Sequence, residues 1–363
     1  MRMVEFLADV ARLLSVPSTA DRPQELRRAL DFAVAFAGPA TVEWFESGGK
    51  PSALLYHGAT RPRFRVVLNA HLDVVPAGPR QFQPRRDGDR LYARGAHDMK
   101  VSALVEALVF RELAATLPYP LGLQLVTDEE VGGRNGTRHQ LQQGVTAAFV
   151  VIGENSNLDI VADSKGLVHA CLRATGRAGH GAYPWLGSNA LLSLLGSINN
   201  LLAAYPVARE EVWRTTVNLA RVDTSNRAVN QIPADATGWL DIRFPPGDKD
   251  LSGRTLEQIV AHLTGFCEPG VEVEIDHMDP PHHADHDLPE LKALRQAARR
   301  QGYQGDFLRK HGAADGRFYS QQGIPAVVFG IGGAGQHGPE EYVDITTIEP
   351  YHDALTGFLT ELT

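Results

Sequence analysis

Apolar residues along the chain recur in two periods. From Met3 to Leu14 the residues Val4, Leu7, Ala11 and Leu14 fall at helical spacing, and a second helical pattern runs from about Gln24 to Phe36. Beyond these, apolar β-branched runs at Phe64 to Leu68, Leu121 to Val126 and Phe149 to Ile152 alternate with helical patterns, the pattern of an α/β sheet. One of the intervening helices is expected to open at Asp98 and to bury the face carrying Val101, Leu104, Val105, Leu108 and Val109. From about Lys165 the texture changes. Strand-like runs at Val168 to Ala174, Thr216 to Val222, Thr237 to Phe244 and Val271 to Ile275, with helical patterns at Ala190 to Ala204 and Leu256 to Phe266, give the order β-α-β-β-α-β. This predicts a compact lid inserted over residues 166–280 into a first domain made of 1–165 and 281–363. A helix from Leu291 to Arg299 and the run Ile324 to Gly330 return to that first domain. Between them, His282, His283 and His286 sit in a Pro- and His-rich stretch that reads as a solvated linker rather than a metal site, because only its composition is unusual.

A length of 363 residues agrees with two domains. Acids outnumber bases, 43 to 35, which argues against nucleic acid or an anionic membrane as partner. Glu5, Asp9 and Arg12 interrupt the N-terminal apolar stretch, so it reads as an amphipathic helix and not as a signal peptide. There is no apolar run of the ~18 residues that a membrane span needs, and the cytoplasm is the expected location. Cys171 and Cys267 lie far apart without CxxC spacing, so neither a disulfide framework nor a thiolate metal site is indicated.

The chemistry gathers at the ends of the apolar runs. In HLDVVP, His71 and Asp73 are two residues apart and, in an extended chain, share a face, so one can ligate a metal while the other orients it. Asp98 precedes a helix, Asp128, Glu129 and Glu130 follow Val126, Glu154 follows Ile152, and an imidazole recurs late in GQHG. Ligands of open α/β sheets bind beyond the carboxyl ends of the strands, where these residues would converge. Oxygen and imidazole donors without thiolates suit two divalent cations, with zinc, cobalt and manganese all compatible and zinc the commonest. In the pair Glu129 and Glu130, one carboxylate can ligate while its neighbour takes a proton from water.

The ordered motifs HLDVVP, ARGAHDMK, VTDEEVGG, VIGEN, GRAGHGAYP and GQHG resemble the M20 metallopeptidase family, including its desuccinylase and acetylornithine deacetylase members, over nearly the whole chain. The resemblance implies an α/β/α catalytic domain with a mixed central sheet and an inserted ferredoxin-like α+β lid. It makes His71, Asp98 and Glu154 the ligands of one cation and Asp98, Glu130 and His337 those of the other, with Asp98 as bridge and Asp73 orienting His71. Glu129 becomes the general base. His180 becomes an oxyanion donor that in dimeric relatives reaches the partner's active site, and Asn230 and Arg243 become contacts to the substrate carboxylate. A cis peptide bond after Asp98 and a homodimer formed through the lid are also implied.

Two departures bear on the substrate. Desuccinylases carry hydroxyl side chains before the Asp of a GTSD-like turn, whereas this chain has Ala313 and Ala314 in HGAADGRF; near the lid hinge only Lys165, in DSKG, is basic. Both changes remove contacts to a second carboxylate and argue against diaminopimelate desuccinylation, although His311 could replace one contact. The expected activity is hydrolysis of an amide bond next to a free carboxylate, in a small N-acyl amino acid or short peptide. The alternatives are a dipeptidase or carboxypeptidase of the same family and, outside it, a non-catalytic binding protein.

Overall fold

Strands whose residues are buried on both faces must lie inside a layered sheet, and β3 (Phe64–His71), β4 (Leu121–Val126) and β5 (Ala147–Ile152) are of this kind. A computed structural model describes residues 1–312 and 314–362, so Ala313 lies outside the described residues. The chain forms two units, one of Met1–Ala162, His283–Arg309 and Ala314–Thr363, the other of Asp163–His282 and Lys310–Ala313. β1 (Thr41–Ser47) and β2 (Lys50–Tyr56) open the sheet of the first unit, β6 (Ile160–Ser164) starts in that unit, and Ala326–Val328 adds a late strand. The order is β1-β2-β4-β3-β5, then Ala326–Val328, then β6. β4, β3, β5 and Ala326–Val328 run parallel, and β1, β2 and β6 pair antiparallel, giving the mixed sheet of an α/β fold.

The β1–β2 hairpin is not announced by any alternation in the sequence. Its turn is Gly48–Gly49, with φ of 53° and 71°, and left-handed backbone at both positions is what a tight hairpin between twisted strands requires. The first helix, Met3–Leu14, also differs from its predicted face. It buries Phe6, Val10, Leu13 and Leu14 and leaves Val4 85% exposed, because the Phe6 ring packs edge-on against Phe36 and turns the helix about its axis. Helix Lys100–Leu113 is buried on every side from Lys100 to Phe110, not on one face, since it packs between β3 and the helices Met3–Leu14, Pro23–Phe36 and Ile348–Glu361. Polar Lys100 is therefore enclosed; its ammonium donates to the Val16 carbonyl at 2.7 Å, and burial lowers its pKa to about 7.

In the second unit, β7 (Gly166–Thr175), β8 (Thr216–Asp223), β9 (Asp235–Phe244) and β10 (Val271–Asp279) form an antiparallel sheet of order β8-β9-β7-β10. Burial alternates strictly along β9, whose inner residues Ala236, Leu240, Ile242 and Phe244 pack with Leu194, Ile198 and Leu201 of helix Ala190–Ala204 and with Ile259 and Leu263 of helix Leu256–Thr264. This is the predicted β-α-β-β-α-β arrangement. The His-rich stretch is not the solvated linker its composition suggests. His282 is fully buried and the ring of His286 stacks 4.5 Å from that of Phe307, while His283 between them stays exposed. Among the described residues no helix is long and apolar enough to cross a membrane.

Phe149 of β5 is fully buried and packs 5.9 Å from the ring of Phe358. Its replacement by alanine should cost about 3–5 kcal/mol, read as a fall in the urea midpoint of unfolding.

Candidate metal centre

Parallel register decides what meets at the sheet edge. His71, the last residue of β3, lies opposite Val126 of β4, and Asn69 lies opposite Ile152 of β5. The residues that follow, Asp73, Asp128 to Glu130 and Glu154, therefore emerge side by side. Two loops add Asp98, whose peptide bond to Met99 is cis, and His337, whose φ is 61°. A left-handed backbone costs a non-glycine residue about 1–2 kcal/mol, so His337 must be held there by its surroundings.

The imidazole Nε2 of His71 is 2.9 Å from Asp98 Oδ1, while Nε2 of His337 is 3.4 Å from Asp98 Oδ2 and 3.2 Å from Glu130 Oε2. One carboxylate thus faces both imidazoles. The side chains form two groups whose ligand atoms lie within 4.8 Å of one another, His71 with Glu129 and Glu154, and Asp98 with Glu130 and His337. The second group has the membership that the resemblance implies. In the first, Glu129 stands where Asp98 was expected, and Asp98 reaches His71 through its other oxygen.

Asp73, fully buried, acts on more than His71. Its Oδ1 is 3.5 Å from His71 Nδ1, and its two oxygens accept hydrogen bonds from the backbone N–H of Glu129 (3.2 Å) and Glu130 (3.0 Å). His71 Nδ1 is also 3.1 Å from the Asp73 backbone carbonyl, so this one residue orients the imidazole through its carbonyl, with its carboxylate close by, and places the acidic turn through its carboxylate.

Desolvation and like charge dominate the electrostatics. Burial, then the charge of Glu154, raises Glu129 well above the ordinary carboxyl range, and burial raises Glu130 to about 7. Asp98 goes the other way. Burial pushes it up, but hydrogen bonds from His337, His71 and Gln336 outweigh this and hold it far below the usual range. Burial pulls His71 down, and Asp73 and Asp98 more than compensate; His337 is raised chiefly by its Asp98 partner.

Several supporting residues were not foreseen from the sequence. The buried guanidinium of Arg94 pairs with Glu341 and donates to the carbonyls of His337 (2.9 Å) and Gly338 (3.2 Å), while Glu341 Oε1 accepts from the amides of His97 (3.0 Å) and Asp98 (3.2 Å). Behind Glu129, Asp315 accepts from Thr137 Oγ1 at 2.5 Å and Arg317 donates to the Gly132 carbonyl at 2.8 Å. Gly133 is required there, because a Cβ would come within 2.2 Å of Asp315 Oδ1. The sequence signals for these residues are the places of Arg94 in ARGAHDMK, of Asp315 and Arg317 in HGAADGRF, and of Glu341 just after GQHG; what they touch is set by the fold.

His180, Asn230 and Arg243 all belong to the second unit. His180 is exposed and its Nδ1 accepts from the Ala182 N–H at 3.1 Å, and the Asn230 carbonyl accepts from Gly181 N–H at 2.7 Å. Arg243 is gripped by Asp241 through two hydrogen bonds of 2.7 and 3.2 Å, a strand-face ion pair with which a substrate carboxylate would have to compete. Lys165 is buried and donates to the Val212 carbonyl at 3.2 Å, and His311 lies 3.1 Å from Glu211.

The residues fit a pair of divalent cations. The donors are hard oxygens and imidazoles, the carboxylates crowd in a desolvated space that disfavours their charge, and Glu130 Oε1 is buried with no hydrogen-bond partner.

The sequence profile of peptidase family M20/M25/M40 matches residues 67–361. The chain is 32% identical over 321 residues to succinyl-diaminopimelate desuccinylase of Gluconacetobacter diazotrophicus, covering 82% of this chain and 81% of that one. Aminopeptidase PepT of Bacillus cereus has the same fold, with a TM-score of 0.80 at 17% identity over 99% of each chain. The YXEP protein of Bacillus subtilis, described as a dinuclear metal binding peptidase, aligns over 99% of this chain and 97% of its own with a TM-score of 0.66 at 16% identity.

A carboxyl whose folded-state pKa stands above its ordinary value keeps a proton that the unfolded chain has released, so stability falls as pH rises between the two values. Glu130 and Asp315, raised to about 7 from 4.5 and 3.8, give the metal-free protein this behaviour. Its calorimetric Tm in a chelator should fall as pH rises from about 4.5 to about 7, and added Zn²⁺ should restore it most at the upper end, where the cation replaces protons. A Tm that rises with pH in the chelator would contradict this account.

Proposed function

The chain belongs to peptidase family M20/M25/M40 and is a metal-dependent hydrolase, and from that premise we propose that it cleaves the amide bond of a small N-acyl amino acid or short peptide beside a free carboxylate. The observation that carries this reading is the Glu129–Glu130 turn hung on Asp73, which aims one carboxylate at Asp98 and His337 and the next at His71 and Glu154. His71, Glu154, Asp98, Glu130 and His337 would hold two divalent cations, zinc by preference, with Asp98 shared. When bound, such cations supply Lewis acidity for the scissile carbonyl and for the attacking water. Glu129 takes the proton of that water and returns it to the leaving amine. In the metal-free protein its half-buried, acid-crowded position raises its affinity for a proton. Asp73 keeps His71 and the Glu129 turn in register throughout.

Two features favour a dipeptidase or carboxypeptidase as the second reading within the family. Lys165 and His311 are engaged by Val212 and Glu211, and Ala314 carries no hydroxyl, so the groups that would bind a second substrate carboxylate are missing or occupied. The second unit serves as the lid of a cytoplasmic homodimer, and His180, with Asn230 and Arg243, addresses the substrate from it. Exposed Leu192 (65%) and Leu195 (40%) on helix Ala190–Ala204 support a partner on the lid.

Glu129→Gln should retain both cations and lose about 10²- to 10⁴-fold in kcat, whereas Glu130→Gln should lower metal content by elemental analysis. Wild-type turnover in Glu129→Gln sinks the base assignment. A panel of N-acetyl, N-succinyl and dipeptide substrates, assayed with defined metals, identifies the acyl group. Mixing inactive Glu129→Gln with inactive His180→Ala protein should restore activity if His180 serves the partner's site; confirmed subunit exchange without recovery refutes a shared site.

A further inference from the structure

Asp98 and His337 reach the metal centre from loops 239 positions apart in the sequence, yet a single buried ion pair touches both. Arg94 and Glu341 are 3% and 1% exposed. Glu341 Oε1 accepts from the backbone N–H of His97 and Asp98, and its other oxygen pairs with Arg94, whose second nitrogen donates to the carbonyls of His337 and Gly338. The link is braced from outside. The Arg94 amide donates to the Gln81 carbonyl (2.8 Å), Gln81 Nε2 donates to the Gly338 carbonyl (3.0 Å), and the Ala93 amide donates to the Glu341 carbonyl (3.1 Å). Arg94 thus bonds the carbonyl of a histidine whose backbone is left-handed, a conformation that requires outside support.

We infer that Arg94 and Glu341 are positioning residues that fix the spacing between the shared carboxylate of Asp98 and the imidazole of His337, and so set the affinity of the Asp98–Glu130–His337 group for its cation. The inference rests on the two-cation reading above. The contacts are asymmetric: the pair touches the backbone at Asp98 and at His337, and none of its hydrogen bonds goes to His71, Glu129 or Glu154. Its loss should weaken both cations through the shared Asp98 and the second one more, because His337 belongs to that group alone. A planar fork can bond Glu341 and two carbonyls together, which a lysine ammonium at the end of a different stem cannot reproduce.

The test is titration calorimetry of metal-free protein with Zn²⁺ in two backgrounds. Glu154→Ala removes a donor of the first group, and Glu130→Ala removes one of the second. Adding Arg94→Lys should lower Zn²⁺ affinity about 10- to 100-fold in the Glu154→Ala background, the range typical for residues that orient metal ligands. In the Glu130→Ala background, where the pair reaches the cation only through Asp98, the loss should be smaller, below about 10-fold. Glu341→Gln keeps an acceptor for the two amides while losing the ion pair and should act in the same direction. The double variant Arg94→Lys, Glu341→Gln should lose little more than the worse single variant, because the two act as one unit. Near-ultraviolet circular dichroism checks that each variant is folded; if Arg94→Lys is not, Glu341→Gln alone decides. Equal losses in both backgrounds, or no loss in either, overturn the inference. Wild-type protein that binds fewer than two ions per chain overturns the two-cation reading itself, and this inference with it.

Discussion

The structure is built around repulsion. Asp73, Asp98, Glu129, Glu130 and Glu154 converge in a desolvated space, and two like charges ~4 Å apart at an effective dielectric constant of ~20 repel by about 4 kcal/mol. Such repulsion has to be relieved. Protons do so in part, which is why Glu129 and Glu130 stand above the ordinary range, and cations do so fully. The fold supplies a third form of relief in fixed dipoles and charges: backbone amides of Glu129 and Glu130 on Asp73, amides of His97 and Asp98 on Glu341, and the guanidinium of Arg94. Fixed partners of this kind hold the carboxylates close together before any cation arrives.

The same constraint explains why the sheet is parallel where it matters. Three neighbouring parallel strands end at one edge, so residues distant in sequence can be delivered side by side by register alone. An antiparallel arrangement of β3, β4 and β5 would send alternate loops to opposite edges and separate His71 from Glu129 and Glu154. The helix Lys100–Leu113, enclosed on every side, then anchors the loop that carries Asp98, and the enclosed Lys100 ties it to the carbonyl of Val16.

In the second unit several polar and charged groups are paired with one another. Arg243 is held by Asp241, His277 by Asp279 and His311 by Glu211. A substrate carboxylate that draws on Arg243 must displace Asp241 from it, and the net gain is small unless the substrate's own anion is better placed.

Much of this molecule was determined by the sequence itself. Apolar runs followed by acids or a histidine, the β-α-β-β-α-β order after Lys165, and the places of His71, Asp98, Glu129, Glu130, Glu154 and His337 in ordered motifs are local features, set by side-chain polarity and spacing along the chain. What only the tertiary structure decided are the choices between residues of similar local character. Phe6 displaced Val4 from the buried face because Phe36 lay opposite, His282 was buried although its neighbours are polar, and Arg243 found Asp241. The Arg94–Glu341 link and the double duty of Asp73 belong here too. Burial and pairing of a charge depend on atoms brought near by the fold across tens to hundreds of residues, and the one-dimensional pattern carries no record of those distances.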